Sequence, residues 1–331
     1  MVSSSDRNRK PSVGNAFLLL LNVVMDPLDL IAKGKIQRYF RSSRKLNVPN
    51  FVCHITQRAV AKELLFIEDS DYLYMIWLLK EIATKYSLRI FTFCLMPNHI
   101  HLLLSPKDAN LYDAMRDLFS RYAVRFNKKY ERKGHLFSGP YRQSICMDDS
   151  YLLAASVYIH SNPVRANLAA DPLDYRWSSC QLYCNDDTPE SFVDMSFILK
   201  LLAENDFESK KNYRLLLKQG CDLGAGNLME EENAIERFCS SLSSVFAGIF
   251  KRAEKKKLVT AALGTEVLGL EELERRLEDI RKRGMERTPE TRKAKKFLIE
   301  QLIARGFNRK EIAERLGVSR KTVYNILKSS G

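Results

Sequence analysis

Two histidines separated by one residue carry the clearest chemical signal in this sequence. His99 and His101 lie in the apolar run of residues 94–104, and the chain has only five histidines in 331 residues. In a β-strand, residues two apart point to the same face and are about 7 Å from each other. One interpretation is a pair of histidines on a solvated sheet face. The other, which the rarity of histidine favours, is a metal site built from two imidazoles.

A tyrosine and an asparagine further along the chain could complete such a site. Tyr158 and Asn162 are four residues apart in a helix-like segment, so they share one helical face. The usual pKa of tyrosine is near 10, and only about 0.1% of its hydroxyl is ionised at pH 7. A divalent cation that polarises a phosphate can offset this. Two imidazoles and an amide oxygen suit Mg²⁺ or Mn²⁺, with Zn²⁺ as a competitor, which predicts metal-assisted attack of the tyrosine on phosphorus.

The overall composition points to a nucleic-acid partner. The formal net charge is +13 for 331 residues, which favours a polyanion such as DNA over an acidic membrane. The seven cysteines show no paired framework, so we expect reduced thiols in a cytoplasmic protein and no structural zinc site. The apolar run of residues 16–25 is too short to span a membrane and fits a signal peptide poorly.

The histidines and the tyrosine must be positioned by a mixed set of strands and helices. Apolar periodicity and turn residues predict strands over residues 51–56, 88–95, 99–104 and 141–147, and helices over 69–86, 111–132 and 148–161. We expect Pro163 to end the last helix. The order βαββαβ followed by a helix predicts an α+β fold, a ferredoxin-like sandwich.

Several motifs, in the right order, resemble a known family. They span roughly residues 45–179 and comprise residues 52–58 (VCHITQR), 95–101 (LMPNHIH), 134–139 (GHLFSG), 162–164 (NPV) and 175–179 (YRWSS). This pattern is similar to that of the REP-associated tyrosine transposases, a branch of the single-tyrosine HUH transposases. The histidine, hydrophobe, histidine motif is His99-Ile100-His101, and Tyr158 lies on the segment that resembles the tyrosine helix.

The resemblance implies a catalytic domain that cuts single-stranded or hairpin DNA. Tyr158 would attack a backbone phosphate and leave a 5′-phosphotyrosine and a free 3′-hydroxyl, while His99, His101 and Asn162 hold the metal. Joining would be the reverse reaction. Because the covalent link conserves the phosphodiester, no high-energy cofactor is needed.

Other side chains near these motifs are weaker candidates for the catalytic or metal site. Tyr122 is the alternative nucleophile, although Phe126 occupies the position four residues later where a ligand would be expected. His54 and His135 could enter the site, but hydrogen-bonded structural roles fit both better. His160 points about 200° away from Tyr158 on a helix, so we expect no ligand role for it. A further candidate DNA contact is Arg142.

The end of the chain resembles a helix-turn-helix over about residues 308–328. Ala313 is small where two helices would cross, Gly317 allows a tight turn, and Ser319 can cap the second helix. The residues that the second helix would offer to a major groove are Arg320, Lys321, Thr322 and Asn325. A helical hairpin with a solvated basic face is the alternative. Residues 251–331 carry +10 of the total charge, which favours duplex DNA binding.

The expected domain organisation has four parts. These are a basic N-terminal extension (1–45), the nuclease domain (46–182), a connecting helical region (183–250) and a basic DNA-binding domain (251–331). The predicted function is a transposase-type nuclease and strand transferase, in the bacterial cytoplasm near the nucleoid, as a monomer or a homodimer and without a membrane partner. One alternative is a DNA-binding regulator with a silent nuclease domain. Another is an HUH replication initiator or relaxase, although no helicase P-loop is present.

Overall fold

The computed structural model describes residues 39–40, 45, 47, 49–146, 148–223, 234–263, 270–282, 289–304 and 307–328. Most of the predicted N-terminal extension, including the apolar run 16–25, lies outside these residues. None of the described helices is long and apolar enough to cross a membrane.

A five-stranded antiparallel sheet forms the centre of the first half of the chain. Its strands are β1 (Tyr39–Phe40), β2 (Cys53–Arg58), β3 (Leu88–Met96), β4 (His99–Pro106) and β5 (Arg142–Ile145). They lie in the order β1-β5-β2-β4-β3. The longest strands, β3 and β4, form a hairpin through a two-residue turn at Pro97 and Asn98, where proline and asparagine favour a turn.

Three long helices accompany the sheet. They are α1 (Asp69–Lys85), α2 (Leu111–Lys129) and α3 (Asp149–Arg165). Helix α1 lies between β2 and β3 in the chain, α2 lies between β4 and β5, and the two helices pack on each other. The predicted βαββαβ order, and with it the ferredoxin-like α+β class, is confirmed.

The expectation that Pro163 ends helix α3 is wrong. The helix continues through Pro163 to Arg165. A proline in the last turn removes a single intrahelical hydrogen bond, so the helix can continue past it. The chain turns at Asn167, whose φ of 55° is left-handed. The Leu168 and Asn167 amides donate to the carbonyls of Pro163 and Val164, which is the hydrogen-bond pattern of a Schellman C-cap.

Helix α3 is enclosed on all sides. All its residues except Val164 are buried. One side packs on strands β3 and β4, and the opposite side packs on helices from the region after residue 183. Helices α4 to α9 are Cys180–Cys184, Ser196–Leu199, Asp206–Asp222, Ala234–Val245, Ala247–Lys256 and Leu258–Leu263. The expected domain boundary at residue 250 falls inside α8, and both α8 and α9 contact α3.

The last four described helices contact one another. They are α10 (Leu270–Lys282), α11 (Pro289–Ala304), α12 (Arg309–Leu316) and α13 (Arg320–Lys328). Leu298, Leu302, Ile312 and Val323 are buried among them. These helices therefore have an apolar core of their own.

Gly220 lets helix α6 lie close to both α7 and α3. A Cβ atom at Gly220 would lie 2.9 Å from Cζ of Phe238 and 3.0 Å from Cγ1 of Val157, whereas one at Gly248 in α8 would meet nothing within 4 Å. We expect Gly220→Ala to lower the free energy of unfolding by about 1 to 2 kcal/mol relative to Gly248→Ala, because overpacking outweighs the gain in helix propensity. Denaturant unfolding of the two variants measures this. Equal stability would show that the packing around Phe238 adapts freely.

Candidate active site

Strand β4 places His99 and His101 on one face of the sheet, side by side. Arg58 and Thr56 on β2 lie directly opposite them. The two imidazole rings have centroids 4.9 Å apart and are perpendicular to each other. Both side chains are buried. The spacing therefore brings the pair together as predicted, but in the interior rather than on a solvated face.

His101 is oriented by a third histidine, His54 on β2. The His54 ring stacks on His101 at 5.1 Å, and its Nε2 lies 2.9 Å from Nδ1 of His101. The Thr56 hydroxyl lies 3.3 Å from the same Nδ1. If Nδ1 of His101 donates to His54, the lone pair of its Nε2 is left for a ligand bond, as in metal sites where a second residue fixes the tautomer. His54 thus has the hydrogen-bonded role expected for it, and this role supports His101.

His99 is oriented by its sequence neighbour. Its Nδ1 lies 2.6 Å from Oδ1 of Asn98, an oxygen that can only accept, so Nδ1 carries the proton. Its Nε2 is buried and has no hydrogen-bond partner within the described parts of the chain. A buried imidazole lone pair that accepts no hydrogen bond is available to bind a metal ion.

All three imidazoles are neutral at physiological pH. Burial, and next the positive charge of Arg58, lower the pKa of His99 to about 3. Burial lowers the pKa of His54 to about 4. The pKa of His101 is well below its usual value, chiefly through burial and then through its histidine neighbours and Arg58. Neutral imidazole is the form that binds metals.

Helix α3 brings Tyr158 and Asn162 to the histidine face. The ring of Tyr158 lies 6.2 Å from that of His101 and is perpendicular to it. Asn162 is one helical turn further on, and both polar atoms of its side chain are buried without a partner among the described residues. The orphaned amide oxygen of Asn162 and Nε2 of His99 fit a divalent cation. Nowhere in the described ranges do three or more His, Cys, Asp or Glu side chains form a metal cluster.

Two residues that sequence reasoning missed cover Tyr158, which is only 2% exposed. The ring of Phe238 on α7 meets the Tyr158 ring edge-on at 5.4 Å. The Arg165 guanidinium lies 5.0 Å from the centre of the Tyr158 ring. Phe238 is eighty residues away in sequence, so no local pattern signals it. Arg165 could have been found from its spacing, because it lies seven residues after Tyr158 on the same helical face.

The alternative nucleophile Tyr122 lies elsewhere. Its ring packs beside Phe66 and Phe126, and its hydroxyl donates to the carbonyl of Leu65. Burial raises its pKa above the usual tyrosine value. The structure places it in a different aromatic cluster from His99 and His101, which favours Tyr158.

The two remaining histidines and Arg142 differ in their surroundings. His160 lies between the hydroxyls of Tyr213 and Ser179, at 2.7 and 2.8 Å, as expected for a structural residue. His135 is exposed. Arg142 is exposed at the start of β5, opposite Thr56. Arg142 therefore lies at the surface of the sheet half that carries the site.

The C-terminal helices α12 and α13 have the predicted helix-turn-helix geometry. Gly317 ends α12 in the left-handed conformation, with φ of 65°. The Ser319 hydroxyl caps α13 by accepting from the Thr322 amide at 3.1 Å. Val323 and Ile326 face inward. The four predicted DNA contacts are all exposed, namely Arg320, Lys321, Thr322 and Asn325.

Comparisons with known proteins identify two segments. Residues 47–162 match the model of the IS200-like transposases, and residues 290–330 match that of the homeodomain-like domains. The predicted resemblance to transposases and the C-terminal helix-turn-helix are thereby confirmed for these segments. No curated protein matches the chain. One similar solved structure is a REP-associated tyrosine transposase bound to a REP hairpin, at 12% identity and a TM-score of 0.39, covering 47% of this chain and 96% of that one.

The contact between His54 and His101 yields a test of the candidate metal site. We expect His54→Ala to weaken Mn²⁺ binding roughly 10- to 100-fold, because His101 loses the partner that fixes its tautomer and ring orientation. Isothermal titration with MnCl₂ measures the affinity. The matched control is His135→Ala, which removes an exposed imidazole and should leave the affinity unchanged. Equal affinities of the two variants would exclude this role of His54.

Proposed function

We propose that this protein is a metal-dependent single-stranded DNA endonuclease and strand transferase that acts through a 5′-phosphotyrosine. The observation that carries the proposal is the position of Tyr158 beside His101, together with the buried ligand atoms of His99 and Asn162, which have no hydrogen-bond partner among the described residues. The transposase match of residues 47–162 supports it. His99, His101 and Asn162 would hold Mg²⁺ or Mn²⁺, which when bound would polarise the scissile phosphate.

Tyr158 is the nucleophile in the proposed reaction. Its hydroxyl oxygen forms a bond to phosphorus, and the bond from phosphorus to the 3′-oxygen breaks. Tyr158 loses its phenolic proton and the 3′-oxygen gains one proton. The products are a 5′-phosphotyrosine and a free 3′-hydroxyl. Strand joining reverses these steps, with a 3′-hydroxyl attacking and Tyr158 leaving.

The packing around Tyr158 supports attack in one fixed geometry. The Tyr158 ring lies between His101, Phe238 and Arg165, so little rotational freedom is left to the side chain. A nucleophile held in position avoids the entropy loss of orienting it during the reaction. The helix-turn-helix would bind duplex DNA and bring the nuclease to its site, with Arg320, Lys321, Thr322 and Asn325 facing the major groove.

The covalent intermediate can be tested directly. We expect wild-type protein with Mn²⁺ to form a covalent adduct with single-stranded oligonucleotides that tile the DNA flanking its gene. Tyr158→Phe should abolish the adduct, because the nucleophilic oxygen is lost, and chelation with EDTA should do the same. Denaturing electrophoresis with labelled DNA measures adduct formation.

Tyr122→Phe is the matched control and should still form the adduct. An adduct that persists in Tyr158→Phe and disappears in Tyr122→Phe would reverse the assignment of the nucleophile. Binding of these oligonucleotides without any cleavage would instead favour the regulator with a silent nuclease domain.

Duplex binding by the helix-turn-helix has its own test. We expect Lys321→Ala to weaken binding to duplex DNA and to reduce the slope of log K against log salt by about 1, because one phosphate contact is lost. Fluorescence anisotropy over a salt series measures both. The control is Lys211→Ala, an exposed lysine on α6. The proposed role of α13 fails if the two variants have the same salt slope.

A further inference from the structure

Arg165 is a buried cation that has no ion pair with any carboxylate of the described residues. It is the last residue of α3 and only 6% exposed. Its Nε and Nη1 are buried and donate no hydrogen bond to any described residue, and it has no ion pair with a described carboxylate. Burying a charged group is unfavourable unless it is paired and hydrogen-bonded. Two buried N–H groups of the Arg165 guanidinium are therefore available to an anionic acceptor from outside the described residues.

The position of Arg165 identifies the kind of anion. Tyr158, Asn162 and Arg165 are spaced by four and three residues on one helix, so they share a face. The guanidinium lies 5.0 Å from the centre of the Tyr158 ring and 5.4 Å from that of Phe238. Any anion that satisfies its free donors lies next to the candidate nucleophile. A backbone phosphate of DNA is the anion that must come to this place for the proposed reaction.

We propose that Arg165 is a catalytic residue that binds the scissile phosphodiester. Its free N–H groups donate to the non-bridging oxygens of the phosphate that Tyr158 attacks. This inference rests on the proposed function and adds a phosphate-binding group to it. The guanidinium keeps its protons throughout, so it provides charge and hydrogen bonds and takes no part in proton transfer.

The same group acts in both directions of the reaction. During cleavage, the transition state spreads negative charge over the non-bridging oxygens, and donors fixed beside them stabilise it. During joining, the bond from phosphorus to the Tyr158 oxygen breaks and negative charge develops on the phenolate. A guanidinium beside the ring stabilises that charge as well. Arg165 therefore complements His99, His101 and Asn162, which are the candidate metal ligands.

A purely structural role explains Arg165 less well. Contact with two aromatic rings stabilises a cation, but an apolar methionine could pack there without leaving any buried donor unused. Arg176 provides a contrast on this chain. Its guanidinium also lies over an aromatic ring, that of Trp177 at 4.2 Å, but it is exposed and paired with Asp69. This makes Arg176 a matched control.

The first test uses inorganic phosphate as the probe and needs no DNA. We expect phosphate to raise the thermal midpoint of the full-length wild-type protein with saturable dependence, measured against NaCl at equal ionic strength. Arg176→Gln should respond like wild type, and Arg165→Gln should lose most of the response. No saturable response in the wild type would overturn the proposal, whether or not any variant folds. An undiminished response in Arg165→Gln would overturn it too.

The second test separates chemistry from binding. With an oligonucleotide that forms the adduct with the wild type, we expect Arg165→Gln to slow adduct formation by about 100-fold while the affinity for the uncleaved strand changes less than threefold. Arg165→Lys should recover part of the rate, since it keeps the charge. A rate in Arg165→Gln within threefold of Arg176→Gln would overturn the proposal. Failure of the wild type to form any adduct would count against the nuclease function. The phosphate test would still show whether Arg165 binds an anion.

Discussion

The complete burial of helix α3 is the constraint on which the rest of the structure depends. A helix enclosed on all sides needs two separate packing partners, and here they are the histidine face of the sheet and the helices after residue 183. The connecting helical region therefore supports the candidate active site. Gly220 and Phe238 show how tight this support is, because α6 and α7 meet α3 at a point where a methyl group would not fit.

Strand register fixes the other half of the site. Because Arg58 and Thr56 lie opposite His99 and His101, the two histidines share their face with His54, which hydrogen-bonds His101. A shift of β4 by one residue would turn both histidines to the other face of the sheet. The hairpin turn at Pro97 and Asn98 fixes this register, and the Asn98 side chain also orients His99. The motif around the histidine pair therefore includes both the residues that would bind the metal and one that orients them.

The sequence allowed the βαββαβ order, the histidine pair and the helix-turn-helix to be predicted, because each depends on local periodicity or spacing. His99 and His101 follow from the two-residue repeat of a strand, and Ser319 and Gly317 follow from capping rules. Phe238 and the pairing of His54 with His101 depend on contacts between distant segments, which no local pattern encodes. The predicted helix end at Pro163 was wrong because its missing amide matters little in a last turn that Asn167 closes.

The polar groups around Tyr158 are buried, and burying polar groups costs stability. The neutral histidines, and the Asn162 amide and Arg165 guanidinium that lack partners among the described residues, all make the folded state less stable than an apolar interior would. Such groups persist when the surrounding structure holds them and when a ligand satisfies them. Around Tyr158, His99 and Asn162 offer lone pairs, whereas Arg165 offers hydrogen-bond donors. The lone pairs suit a cation such as a metal ion, and the donors suit an anion such as a phosphodiester. Both would have to bind beside Tyr158 for the proposed reaction.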